Sequence, residues 1–553
     1  LANAALLFNP DAYDTTGREL MGRQSAGESF MRGFLRHADT DDIYLWGGGG
    51  SAAQASALLD RLGAGQKRVT WLERGDFRRL GEPGCAFIPG PALGEEAWNR
   101  RLFGSRRYSL CGVTHTTASK TAMDAIADLM IAPVEPWDAL ICTSRAVQAG
   151  VQAQLDAQAD YLKGRLGASR RPPITLKTIP LGINASDFGQ DAHARDRWRK
   201  QLGISGTAVV VLYVGRFSHH AKMNPAPMAM ALERAALETG REIHWVLSGW
   251  AFNAAMETVF QDAIRKHAPS VRSHFVDGRI PDTRFSIWSV ADIFFSLSDN
   301  IQETFGLTPV EAMAAGLPSV ISDWDGYRDT VRDGVDGFRI MTRSPSPGMG
   351  VDLTFRHAAR IDSYDAYIGS ASQFVAVDVE AAAGALAKLV EQPEMRAAMG
   401  QSAARRAQEW FDWRVIVPQY QALWNELAAI RADTTLAETP PGPNPWRLDP
   451  FTLFASYPTE ALTKATLVQA EPFATPELTK AMLSWPVVSY AANVLPSADE
   501  VAQITRLASN GPVAVAQIVA AFPPARQGLV ERAILFLAKY GMVTLHSPIA
   551  SHS

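Results

Sequence analysis

Three cysteines, Cys85, Cys111 and Cys142, are all that the 553 residues contain. So few, in no metal-ligand spacing, leave no disulfide framework and no cysteine zinc site, and they fit a reducing compartment. Positive charge is not in surplus either. The 53 lysines and arginines face 57 aspartates and glutamates, for a net charge of −4. That balance excludes a general nucleic-acid binder, which carries a basic surface. No apolar run approaches the roughly 18 residues from which a membrane-spanning helix is read. The residues after Leu1 show no basic segment followed by an apolar core, so no signal peptide is expected. The chain is therefore read as cytoplasmic, with peripheral contact at the inner face of a membrane left open.

Apolar material is plentiful, at 47% hydrophobic residues against 20% charged, enough for large cores. The length suggests roughly three to four units. Short apolar runs recur: Ala4–Phe8, Ile43–Trp46, Val69–Leu72, Ala139–Thr143 and Leu176–Ile179. Helical stretches lie between them, and alternation of this kind predicts a parallel sheet covered on both faces. The rhythm restarts after residue 205, with Val209–Tyr213, His244–Ser248, His274–Val276, Ile293–Ser296 and Ser319–Ser322. Two consecutive α/β domains follow, over residues 1–190 and 200–410. A helix at 411–432, with Val417, Tyr420, Leu423 and Leu427 at helical spacing, is expected to cross back onto the first. Residues 433–447 hold Thr-Pro-Pro-Gly-Pro-Asn-Pro and read as linker. Thr342–Gly350 has the same character and reads as an inserted surface loop. Residues 448–553 read as a small, mainly helical accessory domain. Val513–Ala521 and Gln527–Lys539 form a helix-turn-helix before a strand at Met542–Leu545, a winged-helix-like pattern. The charge balance favours packing against a protein partner or a second copy over nucleic acid.

Chemistry concentrates in Ser298-Asp-Asn-Ile-Gln-Glu-Thr-Phe-Gly-Leu-Thr-Pro-Val-Glu-Ala-Met-Ala-Ala-Gly-Leu-Pro318. The stretch follows a strand and opens a helix. The amides of Phe305, Gly306, Leu307 and Thr308 then face outward at the helix start, where unpaired N–H groups and the helix dipole favour an anion. Glu303, next to Thr304, lies before the helix, where a carboxylate reaches sugar hydroxyls. Glu311 lies two turns in, where it can accept from a ribose diol. Upstream, Gly215-Arg216-Phe217 ends a strand, and Lys222 follows six residues after Arg216. Two cations at one turn suit a diphosphate leaving group without a metal. In the first half, His115 sits in a polar loop after a strand candidate.

Together these motifs resemble the large retaining glycosyltransferase family 4, of bacterial type, over most of residues 1–432. The Glu-x7-Glu element is its most specific mark, supported by Gly-Arg-Phe with Lys222 and by Thr178-Ile-Pro-Leu-Gly-Ile-Asn184 at the expected hinge. The resemblance implies the GT-B fold, two Rossmann-like domains facing a cleft. It implies transfer of a sugar from a nucleotide-sugar donor to a saccharide, lipid-linked or protein acceptor. Arg216 and Lys222 would hold the diphosphate, Glu303 would face the donor sugar and Glu311 the ribose. Gly215 and residues 304–308 would complete the donor site. Catalytic roles fall to Glu303 and His115, and the loop at Gly22 would approach donor phosphates or acceptor. Front-face attack is implied, with no metal and no other cofactor. The chain departs from the family pattern at Asn184, at Met223 and at Gly22-Arg23-Gln24-Ser25.

Other readings compete. A non-catalytic nucleotide-sugar-binding scaffold would keep the fold, and a phosphorylase-like enzyme would need a pyridoxal-lysine site that no motif supplies. His219 and His220 are adjacent and lack a third ligand, which argues against a metal. Asp323-Trp-Asp325 reads as an ordinary loop. Arg100, Arg101, Arg106 and Arg107 read as a solvated face, with anionic lipid as the alternative.

Overall fold

The computed structural model describes residues 3–13, 15 and 22–546. It divides into two compact units, residues 1–444 and 445–553. The first contains two parallel sheets. Strands β1 (Ala5–Phe8), β2 (Asp42–Gly47), β3 (Arg68–Leu72), β4 (Cys85–Ile88), β5 (Ser109–Val113), β6 (Ala139–Cys142) and β7 (Thr175–Thr178) lie in the order β3-β2-β1-β4-β5-β6-β7. Strands β8 (Val209–Val214), β9 (Ile243–Gly249), β10 (Arg272–Asp277), β11 (Ile293–Ser296), β12 (Ser319–Ser322) and β13 (Gly337–Ile340) lie in the order β10-β9-β8-β11-β12-β13. Central strands are buried along their whole length, which is why β4, β6 and β11 are continuous rather than alternating in polarity. In each sheet the order reverses once, between β1 and β4 and between β8 and β11. Ligands of doubly wound sheets bind beyond the carboxyl ends of the strands at such a reversal.

Two connections join the sheets. Ile183 pairs with the chain at Asp412: its N–H donates to Phe411 O at 2.8 Å, and Trp413 N–H donates back to Ile183 O at 2.9 Å. The Trp413–Ala432 helix then packs into the first sheet's core through Ile416, Val417, Tyr420, Leu423, Trp424 and Leu427. Trp413 needs bare backbone around it. A Cβ on Gly33 would stand 2.2 Å from its ring and one on Gly182 2.6 Å. Its indole N–H donates to Ser29 Oγ at 2.8 Å.

Arg107 of the basic cluster is exposed, but Arg100, Arg101 and Arg106 do not form the solvated face the sequence suggests. Arg100 is fully buried and forks onto Asp138 at 2.6 and 2.7 Å, because its helix, Leu93–Arg101, turns that face to the sheet. Arg101 and Arg106 are committed to backbone carbonyls of residues 431–443. Arg101 Nε donates to Pro440 O at 2.8 Å, and Arg106 donates to Asp433 O at 2.9 Å. Thr439 N–H donates to Glu135 at 2.8 Å. Proline-rich chain lacks donors of its own, and here guanidinium groups hold its free carbonyls. The stretch from Thr342 is more than a loop. Thr342–Arg343 pairs with Ala376–Val377, enclosing helices Val351–Ala358 and Tyr364–Ser372.

The second unit holds a three-stranded antiparallel sheet with Leu467–Ala470 at its centre, between Val513–Ala514 and Val543–His546. Helices Ala498–Leu507, Val515–Ala520 and Gln527–Lys539 cover it through Val501, Ile504, Ile518, Val530, Ile534 and Leu537. Among the described residues of the chain, no helix is long and apolar enough to cross a membrane.

Candidate functional site

At the reversal of the second sheet two loops meet. One leaves β8 through Gly215, Arg216 and Phe217. Its backbone lies against Gly249, where a Cβ would stand 1.8 Å from Gly215 O. The other leaves β11 through Ser298 to Gly306. Asn300 Nδ2 donates to His220 O at 2.6 Å, Ser298 Oγ to Lys222 O at 3.4 Å and Arg216 to Gln302 Oε1 at 3.4 Å. These bonds bring Lys222 Nζ to 3.3 Å from Glu303 Oε2, so the sequence-predicted cation and carboxylate share one site.

The Leu307–Ala314 helix starts here. Its N-cap is Gly306, with φ 86° and no side chain to cap the first amides. Pro309 in the first turn has no N–H, which leaves the amides of Leu307 and Thr308 as that turn's free donors for an anion. Thr304 Oγ1 and Phe305 are turned inward: Thr304 donates to His115 O at 3.1 Å, and the Phe305 ring is buried. A Cβ on Gly306 would stand 2.1 Å from Tyr327, whose hydroxyl is bonded to Ser296 at 3.1 Å and cannot yield cheaply. Gly306→Ala is therefore expected to cost ~1–3 kcal/mol and to misplace the helix start. A lowered melting temperature together with lost nucleotide binding would show it.

Glu311 lies about one turn along the helix rather than the two expected, half-buried, and burial pushes its carboxyl up to about 7 although the Arg284 charge opposes the rise. Burial likewise raises Asp299 to about 7. His115, at the carboxyl end of β5, is lowered to about 4 by burial and is a neutral imidazole at neutral pH. These shifts set a pH dependence. A carboxyl raised in the folded state keeps its proton where the unfolded chain has lost it, so stability falls as pH rises towards the folded value. Lowered histidines act the opposite way but are exhausted above their ordinary value of about 6.5. Urea midpoints are therefore expected to fall between about pH 6.5 and 8. Glu311→Gln and Asp299→Asn should each flatten the slope; midpoints that rise in this window would contradict the assignment.

Across the cleft stands the first sheet's reversal. A cavity of about 420 Å³ opens there, lined by Tyr13, Phe30, Phe87, His115, Trp413 and Tyr420 among others. His115 is its link to the second domain. Three further contacts clasp the domains: Thr143 Oγ1 to Thr304 O at 3.4 Å, Arg145 N–H to Asp329 at 2.7 Å and Arg145 Nε to Asp329 at 2.8 Å. Gly22 opens the Gly22–His37 helix. The loop before it lies outside the described residues, so the expected donor contact at Gly22 stands as a proposal.

Sequence reasoning missed four contributors. Thr143, Arg145, Asp329 and Gln302 act through contacts between distant segments and carry no motif. Asp325, read as ordinary loop, has its carboxyl largely buried, and burial first, with the Glu303 charge second, pushes it up to about 8. Among the described residues no group of three His, Cys, Asp or Glu side chains could hold a metal ion.

Residues 194–346 match the family model described as glycosyl transferases group 1. A lipopolysaccharide 1,2-N-acetylglucosaminetransferase of Salmonella typhimurium is 25% identical over 173 residues, 31% of this chain and 44% of that protein. A D-inositol 3-phosphate glycosyltransferase of Kineococcus radiotolerans is 29% identical over 299 residues, 50% of this chain and 58% of that one. The chain thus spans about half the length of these curated relatives. HepE of Anabaena, solved in complex with UDP, aligns with a TM-score of 0.51 at 17% identity, covering 76% of this chain and 98% of that one. The architecture is GT-B: two Rossmann-like α/β domains face a cleft, with a helical C-terminal region beyond them.

Proposed function

We propose that this chain is a retaining glycosyltransferase of family 4 type that uses a nucleotide-sugar donor and no metal. The observation that carries the reading is the convergence of Lys222 and Glu303, 3.3 Å apart, on the helix start uncapped by Gly306. The diphosphate would lie on that helix start between Arg216 and Lys222, with the ribose at Glu311 and the sugar at Glu303. UDP-sugars are the first donors to test, since UDP occupies the HepE structure.

The acceptor hydroxyl, held in the cavity beside His115, attacks the anomeric carbon from the face the diphosphate leaves. The new C–O bond forms as the sugar–phosphate bond breaks. The bonding pair goes to the phosphate oxygen, and the acceptor proton passes to the departing phosphate. The protein supplies position and charge: Arg216, Lys222 and the helix amides meet negative charge as it grows. The neutral His115 imidazole can hydrogen-bond the acceptor or sugar without adding charge. The contacts at Thr143, Arg145 and Asp329 hold the two domains at the spacing this geometry needs.

Incubation with UDP-, GDP- and ADP-sugars, followed by proton NMR of the anomeric signal, tests this. Nucleotide release with an axial donor giving an axial product, unaffected by chelator, is the expected result. Binding without any release of nucleotide would favour a non-catalytic scaffold, and an inverted product would overturn the front-face course.

A further inference from the structure

The chain from Thr342 to Val377 lies between β13 and the helix Val379–Glu391. Of its two helices, Val351–Ala358 buries no residue, whereas Tyr364–Ser372 buries Ile368, Gly369 and Ser372. What the second helix covers is the candidate site itself. Ile368 packs with Ala221, in the loop that carries Lys222, and with Ala118, in the loop that follows His115 in the first domain. A Cβ on Gly369 would stand 2.8 Å from His220 Cβ, so the helix lies directly on the Lys222 loop. Asn300, itself buried, fastens these segments together. Its Nδ2 donates to His220 O at 2.6 Å and to Ile368 O at 3.4 Å, and its Oδ1 accepts from the Gln302 N–H at 2.9 Å.

A side-chain relay runs from this helix to the predicted diphosphate cation. Gln302 Nε2 donates to the Tyr364 hydroxyl at 3.1 Å, and Gln302 Oε1 accepts from Arg216 at 3.4 Å. A guanidinium only donates, so it takes the oxygen end of the amide. The nitrogen end then needs an acceptor, which the phenol supplies. Gln302 is thus held by its backbone and by both ends of its amide. Without the Tyr364 hydroxyl the amide can pivot, and the Arg216 bond, the longer of the two, yields first. The relay brings no charge to Arg216. The acid beside Tyr364, Asp365, stands 3.7 Å from His220 Nε2 instead. A neutral amide orients the cation and leaves its charge for an incoming anion, whereas a carboxylate would compete with that anion.

We propose that Tyr364 is a positioning residue for the donor diphosphate: through the Gln302 amide its hydroxyl aims the Arg216 guanidinium, which makes the Tyr364–Ser372 helix part of the donor site. This rests on reading Arg216 as the cation that meets the diphosphate. Tyr364 itself touches neither donor nor acceptor, and its effect reaches the reaction only through Gln302.

Nitrogen-15 NMR of the side-chain amides, with Gln302→Ala to assign the Gln302 signals, reads the relay without any donor. Those signals should move in Tyr364→Phe, where Nε2 loses its acceptor, and also in Arg216→Ala, where Oε1 loses its donor. Turnover of a UDP-sugar supplies the second readout. Tyr364→Phe should lower kcat on the order of tenfold, as for lost orientation, with a smaller change in KM. In a Gln302→Ala background the same substitution should cost nothing further, because the relay is already cut; two changes that act independently would instead add. Gln302 signals that stay in place in either variant would overturn the relay. Tyr364→Phe turning over at the wild-type rate, or costing as much in Gln302→Ala as in the wild type, would overturn the positioning role. If the wild type turned over no donor, the proposed function would fail, while the amide signals would still decide the relay.

Discussion

Arg216→Ala is expected to lower turnover on the order of 10²–10³-fold in a protein that melts as the wild type does. The stability expectation follows from the contacts. Among the described residues Arg216 makes one long side-chain bond, 3.4 Å to Gln302, so its loss removes little from the folded state. The rate expectation follows from where charge appears. A nucleoside diphosphate gains negative charge only as the sugar leaves, so the cation that meets it acts more on the transition state than on the bound donor. The fall should therefore appear in kcat more than in KM. Lys222→Ala should cost a similar factor with one difference. Glu303 then loses its 3.3 Å partner, so donor affinity should change as well. Steady-state kinetics with one UDP-sugar separates the two, and an Arg216→Ala enzyme within threefold (roughly, for a merely exposed cation) of wild type would remove Arg216 from the site.

The largest effect on folding is expected far from the cleft. Arg100→Met should destabilise the first domain by about 3–5 kcal/mol, the usual cost of leaving a buried charge without its partner. Asp138 would then face an apolar side chain. It is fully buried, and besides Arg100 it accepts from the Leu110 and Glu135 amides at 2.8 Å each. Asp138→Ala should cost at least as much, because it strands both amides and the guanidinium. Urea denaturation followed by tryptophan fluorescence measures this, since Trp137 is buried beside the pair. A loss under about 1 kcal/mol would class the pair with exposed ion pairs, contrary to its burial.

The burial of Arg100 is not legible in the sequence. Four arginines in eight residues read as solvated, and nothing local says which one faces the sheet. Its partner is 38 positions away. The same limit hid the middle strands. Cys85–Ile88 is a four-residue apolar run whose buried cysteine and alanine gave no alternation to read. Leu467–Ala470 is a lone strand among helices, recognisable only by its two antiparallel partners. What was legible is what repeats or is local. Strand runs ending in glycine gave the two α/β halves, and the Phe-Gly-Leu-Thr-Pro run after β11 gave the helix start at Leu307, because glycine and proline at fixed offsets act on their own neighbours. Asp325 lies between these cases. Its sequence position is unremarkable, and only the left-handed φ and the burial of its carboxyl set it apart.

The most direct measurement is a thermal-shift comparison of wild type and Arg216→Ala with UDP, UDP-glucose and UDP-N-acetylglucosamine, without added metal. Ligand at about 100 times its dissociation constant adds about 2.7 kcal/mol to the native state. A rise of several degrees in the wild type with at least one of these, lost or much reduced in Arg216→Ala, is the result predicted for a metal-independent uridine-nucleotide donor site at this helix start. An equal rise in both proteins would place the nucleotide elsewhere, and no rise in either would contradict a uridine-nucleotide donor.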